Sequence, residues 1–121
     1  MLVGDTKKFL SVLITLRVVI DPDTLIPTKQ ADNNCLIELR KIGVVDYSLD
    51  NLIINQKVND AIQKSIDEYN NTAVSRAQRV QKFVILDTDF SVPGGELTET
   101  QKLKRKIVLE KYKDQINNMY N

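Results

Sequence analysis

The stretch Phe9-Leu10-Ser11-Val12-Leu13-Ile14-Thr15-Leu16-Arg17-Val18-Val19-Ile20 decides the fold class that this sequence predicts. It is rich in Val, Ile and Leu, a composition typical of a β-strand that is buried on both faces. Spanning a bilayer takes about 20 apolar residues, and this run is shorter and is interrupted by Ser11, Thr15 and Arg17. Turn-forming residues, Asp21-Pro22-Asp23, end it. We therefore predict a central strand and no transmembrane segment.

A short helix is predicted after this strand. Asn33 or Asn34 can supply its N-terminal cap, and apolar residues recur at helical spacing as far as about Lys41. Gly43 then provides a stop signal. Residues 44–54 are compatible with either a loop or a second short helix.

The longest helical pattern covers residues 56–81, where apolar side chains recur at steps of three and four. Asn70-Asn71-Thr72 is expected to kink or divide it. Residues 83–86 predict a short strand, and residues 97–105 a strand or an extended loop. A final helix places apolar side chains on one face between Val108 and Met119. The pattern predicts one α+β domain over residues 1–121, with a small β-sheet packed against helices.

Composition narrows the possible functions. The chain has 121 residues, is 42% hydrophobic, and carries 17 basic and 16 acidic residues for a net charge of +1. This balance argues against non-specific nucleic-acid binding. The chain contains no histidine, which excludes His-dependent triads and the commonest zinc sites. A single cysteine, Cys35, excludes a disulfide within the chain.

The strongest candidate for a functional site is Gly94-Gly95-Glu96-Leu97-Thr98-Glu99-Thr100-Gln101-Lys102-Leu103-Lys104-Arg105. A glycine pair lets the backbone turn, and the cations that follow can neutralise phosphate or carboxylate charge. In an extended segment Lys102 and Lys104 share one face, and Leu103 points to the core. The basic run is also compatible with a solvated hairpin, a nuclear-targeting signal or a nucleic-acid patch.

Five further blocks precede, overlap or follow this candidate site in the sequence: Val3-Gly4-Asp5-Thr6-Lys7-Lys8-Phe9-Leu10-Ser11-Val12-Leu13-Ile14-Thr15-Leu16, Asp21-Pro22-Asp23-Thr24 with Pro27 and Cys35, Ala77-Gln78-Arg79-Val80-Gln81-Lys82-Phe83-Val84-Ile85-Leu86, Asp89-Phe90-Ser91-Val92-Pro93-Gly94-Gly95-Glu96-Leu97, and Lys111-Tyr112-Lys113 with Ile116 and Met119-Tyr120. In this order, they resemble the C-terminal domain of long-chain acyl-CoA synthetases, in the bubblegum-type branch of the adenylate-forming enzymes. Two departures are a glutamate, Glu99, where these enzymes often have proline, and Phe83 where the branch often has tryptophan. Residues 44–56 match poorly.

The resemblance implies a role in a two-step reaction. A fatty-acid carboxylate attacks the α-phosphorus of ATP, and the thiol of coenzyme A then displaces AMP. Lys102 stands where the family carries its catalytic lysine, so it is expected to contact ATP and the acyl-adenylate; Lys104 and Arg105 are the alternatives. ATP and coenzyme A would be substrates. Mg²⁺ is expected in the full-length enzyme but not bound by this domain, for which we predict no metal site.

The resemblance also implies a partner. The nucleotide- and fatty-acid-binding elements would belong to an N-terminal domain of the same enzyme, which this chain lacks, so the isolated chain is expected to be a lid domain without turnover. Its location would be intracellular, either cytoplasmic or peripheral on an internal membrane. The rival hypothesis is a non-enzymatic α+β interaction module that binds an acidic partner or nucleic acid through its basic hairpin.

Overall fold

The computed structural model describes residues 1–4 and 7–121. Asp5 and Thr6, inside the block predicted to open the domain, lie outside the described residues. The described chain contains two small sheets and five helices, which confirms the α+β prediction. The strands are β1 (Leu2–Val3), β2 (Leu10–Ile14), β3 (Val18–Ile20), β4 (Pro27–Ala31) and β5 (Val80–Ile85); the helices are α1 (Asn33–Lys41), α2 (Leu49–Ile53), α3 (Gln56–Thr72), α4 (Arg105–Lys111) and α5 (Lys113–Met119).

The larger sheet has the order β1-β2-β5, with β1 antiparallel and β5 parallel to the central β2. Side chains of β2 alternate, and Ser11 and Leu13 are the buried ones. Leu13 packs in a core cluster with apolar residues of α4 and α5, including Val108 and Ile116. The Tyr120 hydroxyl donates to the Phe9 carbonyl at 2.6 Å and fixes the end of α5 to this sheet.

The predicted strand over residues 9–20 is wrong as a single element. The chain forms β2, leaves the sheet, and then forms β3 in a second sheet, antiparallel to β4. Only Val18 of β3 is buried, while Val19 and Ile20 are exposed. An apolar run alone does not determine which sheet a strand joins. Strand β4 was not predicted, because its sequence, PTKQA, is mostly polar and only Ala31 is buried.

The first helix agrees with its prediction over residues 33–41, with a different cap. Asp32 rather than either asparagine caps it, and its Oδ1 accepts the Cys35 N–H at 2.8 Å. Gly43, with φ of +80°, lies just after the end of this helix, as its predicted role as a stop signal requires. The ambiguous segment that follows contains the short helix α2. Leu39, Leu52 and other apolar residues of these elements form a second core cluster.

The long helix α3 ends at Thr72 and not at residue 81. Close to this end, the Asn70 side chain pairs with the backbone of the next strand. Its Nδ2 donates to the Val80 carbonyl and its Oδ1 accepts the Val80 N–H, both at 2.8 Å. Of the two outcomes expected at Asn70-Asn71-Thr72, a kink or a division of the pattern, the structure shows the division. In the part of the chain that the structure describes, no helix is both long and apolar enough to cross a membrane.

Candidate functional site

The candidate lysine lies on a tight β-hairpin, residues 97–103, which we call the lysine hairpin. Leu97 and Leu103 form its antiparallel bridge. The Gln101 N–H donates to the Thr98 carbonyl at 2.7 Å, and the Thr98 N–H donates to the Lys102 carbonyl at 2.8 Å. Gln101 has φ of +63°. This is a three-residue hairpin loop that ends in a left-handed residue, so the backbone position of Lys102 is closely defined.

The Lys102 side chain is exposed, and among the described residues it makes no hydrogen bond or ion pair. Its backbone is held, because its N–H donates to Thr98 Oγ1 at 3.0 Å. A fixed backbone with an uncommitted ammonium group suits a cation that must meet an external anion. The prediction that Leu103 points to the core is wrong, since Leu103 is 41% exposed.

The two alternative cations have structural positions at the base of the hairpin. The Lys104 N–H donates to the Glu96 carbonyl at 2.7 Å, and the Lys104 carbonyl accepts the Val108 N–H in the first turn of α4. Arg105 is the first residue of α4. Both side chains are exposed, so the structure brings all three cations near one hairpin without excluding any of them.

A buried carboxylate, which sequence reasoning missed, anchors the hairpin. Glu96 is only 1% exposed, and its Oε2 lies 2.5 Å from Lys111 Nζ. Its Oε1 accepts the Ser91 N–H at 3.1 Å, and Lys111 also donates to the Gly94 carbonyl at 3.1 Å. The ion pair therefore ties the start of the hairpin to α4. The burial of Glu96 and its pairing with a lysine 15 residues away leave no local signal in the sequence.

Gly94 and Gly95 form a turn directly before Glu96, which agrees with the turn-forming role predicted for them. Gly95 has φ of +88°, in the left-handed region that favours glycine. At Gly94 a Cβ would lie 2.6 Å from both Glu96 carboxylate oxygens and 2.8 Å from Ser91 Oγ. Larger residues at Gly94 would therefore displace the carboxylate that the anchor needs.

Acidic residues around the anchor affect Tyr112. Burial, and then the charges of Glu96, Asp87 and Asp89, raise the pKa of Tyr112 to about 12. The Tyr112 hydroxyl is buried and has no hydrogen-bond partner among the described residues. Over the described ranges no group of three or more acidic or cysteine side chains is arranged to hold a metal ion.

Comparison with known proteins decides the family. The model of the AMP-binding enzyme C-terminal domain family matches residues 28–121, which include the lysine hairpin and its anchor. The chain belongs to this family. The match to an AMP-binding enzyme C-terminal domain also agrees with the α+β fold and with the order of the sequence blocks described above.

Curated relatives match along 99% of the chain. The long-chain-fatty-acid–CoA ligase ACSBG1 of Bos taurus is 41% identical over 122 residues, which cover 17% of that protein. The ligase ACSBG2 of Gallus gallus is 42% identical over 16% of its length, and ACSBG1 of Homo sapiens is 40% identical over 17%. These matches confirm the resemblance to the bubblegum-type branch. The chain spans about a sixth of the length of these relatives, and no solved structure matches it.

Proposed function

We propose that this chain is the C-terminal lid domain of a long-chain fatty-acid–CoA ligase, and that Lys102 is its catalytic lysine. The observation that carries the proposal is the lysine hairpin itself. It presents an exposed ammonium group that has no partner among the described residues, and the ion pair between the buried Glu96 and Lys111 anchors the hairpin. The identity of 40–42% to ligases over nearly the whole chain supports the same reaction.

The chemistry explains why a lysine is needed in this position. In the first step a carboxylate approaches the α-phosphate of ATP, which is already anionic. A preorganised cation lowers the energy of the transition state by neutralising the charge that the two groups share. An ammonium group is a compact point charge with three donors, so Lys102 can contact oxygens of both partners and then of the acyl-adenylate.

The remaining components would be supplied by other parts of the enzyme. We assign the binding of ATP, the long-chain fatty acid and coenzyme A mainly to the N-terminal domain, together with Mg²⁺. This chain would close over that domain for adenylation and rotate before thioester formation, so that Lys102 is present for only part of the cycle. We place the enzyme inside the cell, in the cytoplasm or peripherally on an internal membrane.

The rival hypothesis, a non-enzymatic module that binds through the basic hairpin, has no specific observation in its favour. The cations of residues 102–106 are spread over a hairpin and the start of α4, and the net charge of the chain is only +1. Family membership supports the enzyme domain, and we make no second proposal.

Separate assays of the two half-reactions test the proposal in the full-length enzyme. Lys102→Ala should slow acyl-adenylate formation by about 10²-fold or more, as when one preorganised donor is removed. Thioester formation from supplied acyl-adenylate should change little. Lys104→Ala is the matched control and should be much milder. A larger loss for Lys104→Ala would show that the wrong lysine was chosen, and equal loss in both half-reactions would indicate a folding or docking defect.

A further inference from the structure

The lysine hairpin leaves the domain without an apolar core of its own. Across residues 96–107, all of which the structure describes, Glu96 is the only buried residue. The bridge that closes the hairpin joins Leu97, which is half-buried, to Leu103, which is 41% exposed. Because apolar stabilisation scales with the area removed from water, packing of the hairpin does little to fix its direction relative to the domain.

Glu96 instead holds both strands of the hairpin at their base. Its backbone carbonyl accepts the Lys104 N–H at 2.7 Å, which joins the outgoing strand to the returning strand. Its carboxylate accepts the Ser91 N–H at 3.1 Å and lies 2.5 Å from Nζ of Lys111, the last residue of α4. One buried residue therefore connects the hairpin to the loop before it and to the helix after it.

Two steps of the hairpin ladder separate this base from Lys102. The Leu97–Leu103 bridge is the first, and in the second the Thr98 N–H donates to the Lys102 carbonyl at 2.8 Å. At about 3.3 Å of rise per residue, Lys102 lies about 7 Å beyond the base. A tilt of the hairpin by about 10° would move the Lys102 backbone by about 1 Å, and a misplacement of that size can cost about 10²-fold in rate.

The charges at the base suit orientation better than they suit stability. A buried ion pair can often be replaced by apolar side chains without loss of stability, so stability alone does not account for this pair. Apolar contacts are non-directional, whereas hydrogen bonds to a carboxylate have preferred directions. The Lys111 ammonium meets two acceptors in the segment that leads into the hairpin, Glu96 Oε2 at 2.5 Å and the Gly94 carbonyl at 3.1 Å. The pair therefore fixes an angle as well as a distance.

We propose that Glu96 and Lys111 are positioning residues for Lys102. They set the tilt of the lysine hairpin, so that the Lys102 ammonium group meets the carboxylate and the α-phosphate where charge develops. The inference rests on the proposed function, because the tilt matters to the reaction only if Lys102 takes part in adenylation. Neither Glu96 nor Lys111 contacts the substrate, and both act through Lys102 alone.

The first test measures both half-reactions of the full-length enzyme at a temperature where every variant is folded. Lys111→Met should slow acyl-adenylate formation by about tenfold, while thioester formation from supplied acyl-adenylate is unchanged. Lys111→Arg keeps a cation that can donate to Glu96, so it should recover most of the rate. An unchanged rate of adenylation in Lys111→Met would overturn the proposal.

Val58→Ala is the matched control for lost stability. It shortens a buried side chain of the second core cluster, outside the hairpin and its anchor, and should leave both half-reactions intact. Equal slowing of adenylation in Val58→Ala and Lys111→Met would overturn the proposal, because it would attribute the slowing to lost stability.

The double variant Glu96→Gln with Lys111→Met provides the reverse comparison. It removes the buried charge that Lys111→Met leaves unpaired, so stability should recover in part. Adenylation should nevertheless stay as slow as in Lys111→Met, because the directional pair is still absent. A rate that recovers together with stability would refute a positioning role.

The last test combines Lys111→Met with Lys102→Ala. Residues that act through one another do not give additive losses, so the double variant should be no slower in adenylation than Lys102→Ala alone. If the two losses multiply, Lys111 acts independently of Lys102 and the proposal is refuted. The two proposals can also fail separately. No effect of Lys102→Ala would refute its catalytic role, whereas a full loss in Lys102→Ala with none in Lys111→Met would refute the positioning pair alone.

Discussion

The buried ion pair that anchors the lysine hairpin provides a quantitative test of the structure. Its two ends are unequal: the Glu96 side chain is 1% exposed, whereas that of Lys111 is 42% exposed. In Lys111→Met the Glu96 carboxylate stays buried and keeps only the Ser91 N–H as a partner. Breaking a fully buried pair costs about 3–5 kcal/mol, and the exposure of Lys111 reduces this to about 2 kcal/mol of unfolding free energy.

Substitution of the other partner, Glu96, should cost less unfolding free energy. In Glu96→Gln the Ser91 N–H keeps an acceptor, and the Lys111 ammonium, already partly exposed, can turn to water. We expect a loss of about 1 kcal/mol, the net value of one hydrogen bond. Adding Glu96→Gln to Lys111→Met should therefore restore part of the lost stability, because the second change removes the buried charge that the first left unpaired.

The assay is urea unfolding at pH 7, followed by far-ultraviolet circular dichroism because the chain has no tryptophan. Lys106→Met is the control: this exposed lysine also lies on α4 and forms no ion pair among the described residues. It should change stability by less than about 0.5 kcal/mol. Additive losses in the double variant, or a larger loss for Glu96→Gln than for Lys111→Met, would refute the anchor as described.

Three further outcomes are expected. The isolated chain should fold, give no acyl-CoA from ATP, fatty acid and coenzyme A, and bind ATP only weakly in calorimetric titration; clear turnover would contradict the division of labour between domains. Glu99→Pro should raise the unfolding free energy by about 0.4–1 kcal/mol, because Glu99 is the second residue of the turn that begins at Thr98, a position where proline is favoured. A lower unfolding free energy in urea would show that the turn has another geometry. Tyr112→Phe should add about 1 kcal/mol by removing a buried hydroxyl without a partner. The pKa of Tyr112 is raised to about 12, so the parent protein should lose unfolding free energy as the pH rises from 10 towards 12. Tyr112→Phe should lose less over the same range, and urea unfolding at several pH values measures the difference.

Patterns that depend on one element alone were predictable from the sequence. The helix over residues 33–41 was correct, because its apolar spacing and Gly43 are local signals. A break in the long pattern at Asn70-Asn71-Thr72 is one of the two outcomes that the sequence predicts there, because short polar side chains compete for backbone hydrogen bonds. The pairing of the Asn70 side chain with the Val80 backbone could not be predicted, because the two residues are 10 positions apart and belong to different elements.

Features that depend on distant partners were not predictable. The run of residues 9–20 has the composition of one buried strand, yet its two halves pair with β5 and with β4 in different sheets. The choice of Lys102 as the catalytic lysine comes from the resemblance and stays a prediction. The Glu96–Lys111 anchor could not be predicted, because a glutamate next to glycines is usually an exposed turn residue.

The anchor and the free lysine follow from one physical requirement. A cation that stabilises a transition state must be fixed before the reaction, yet it must not be neutralised by its own domain. Under the proposed function, the chain meets both conditions with separate lysines. Lys111 pairs with the buried Glu96, whereas Lys102 forms no ion pair among the described residues. In the proposed function, the anchor keeps the hairpin rigid, and the exposed ammonium group of Lys102 contacts the substrate.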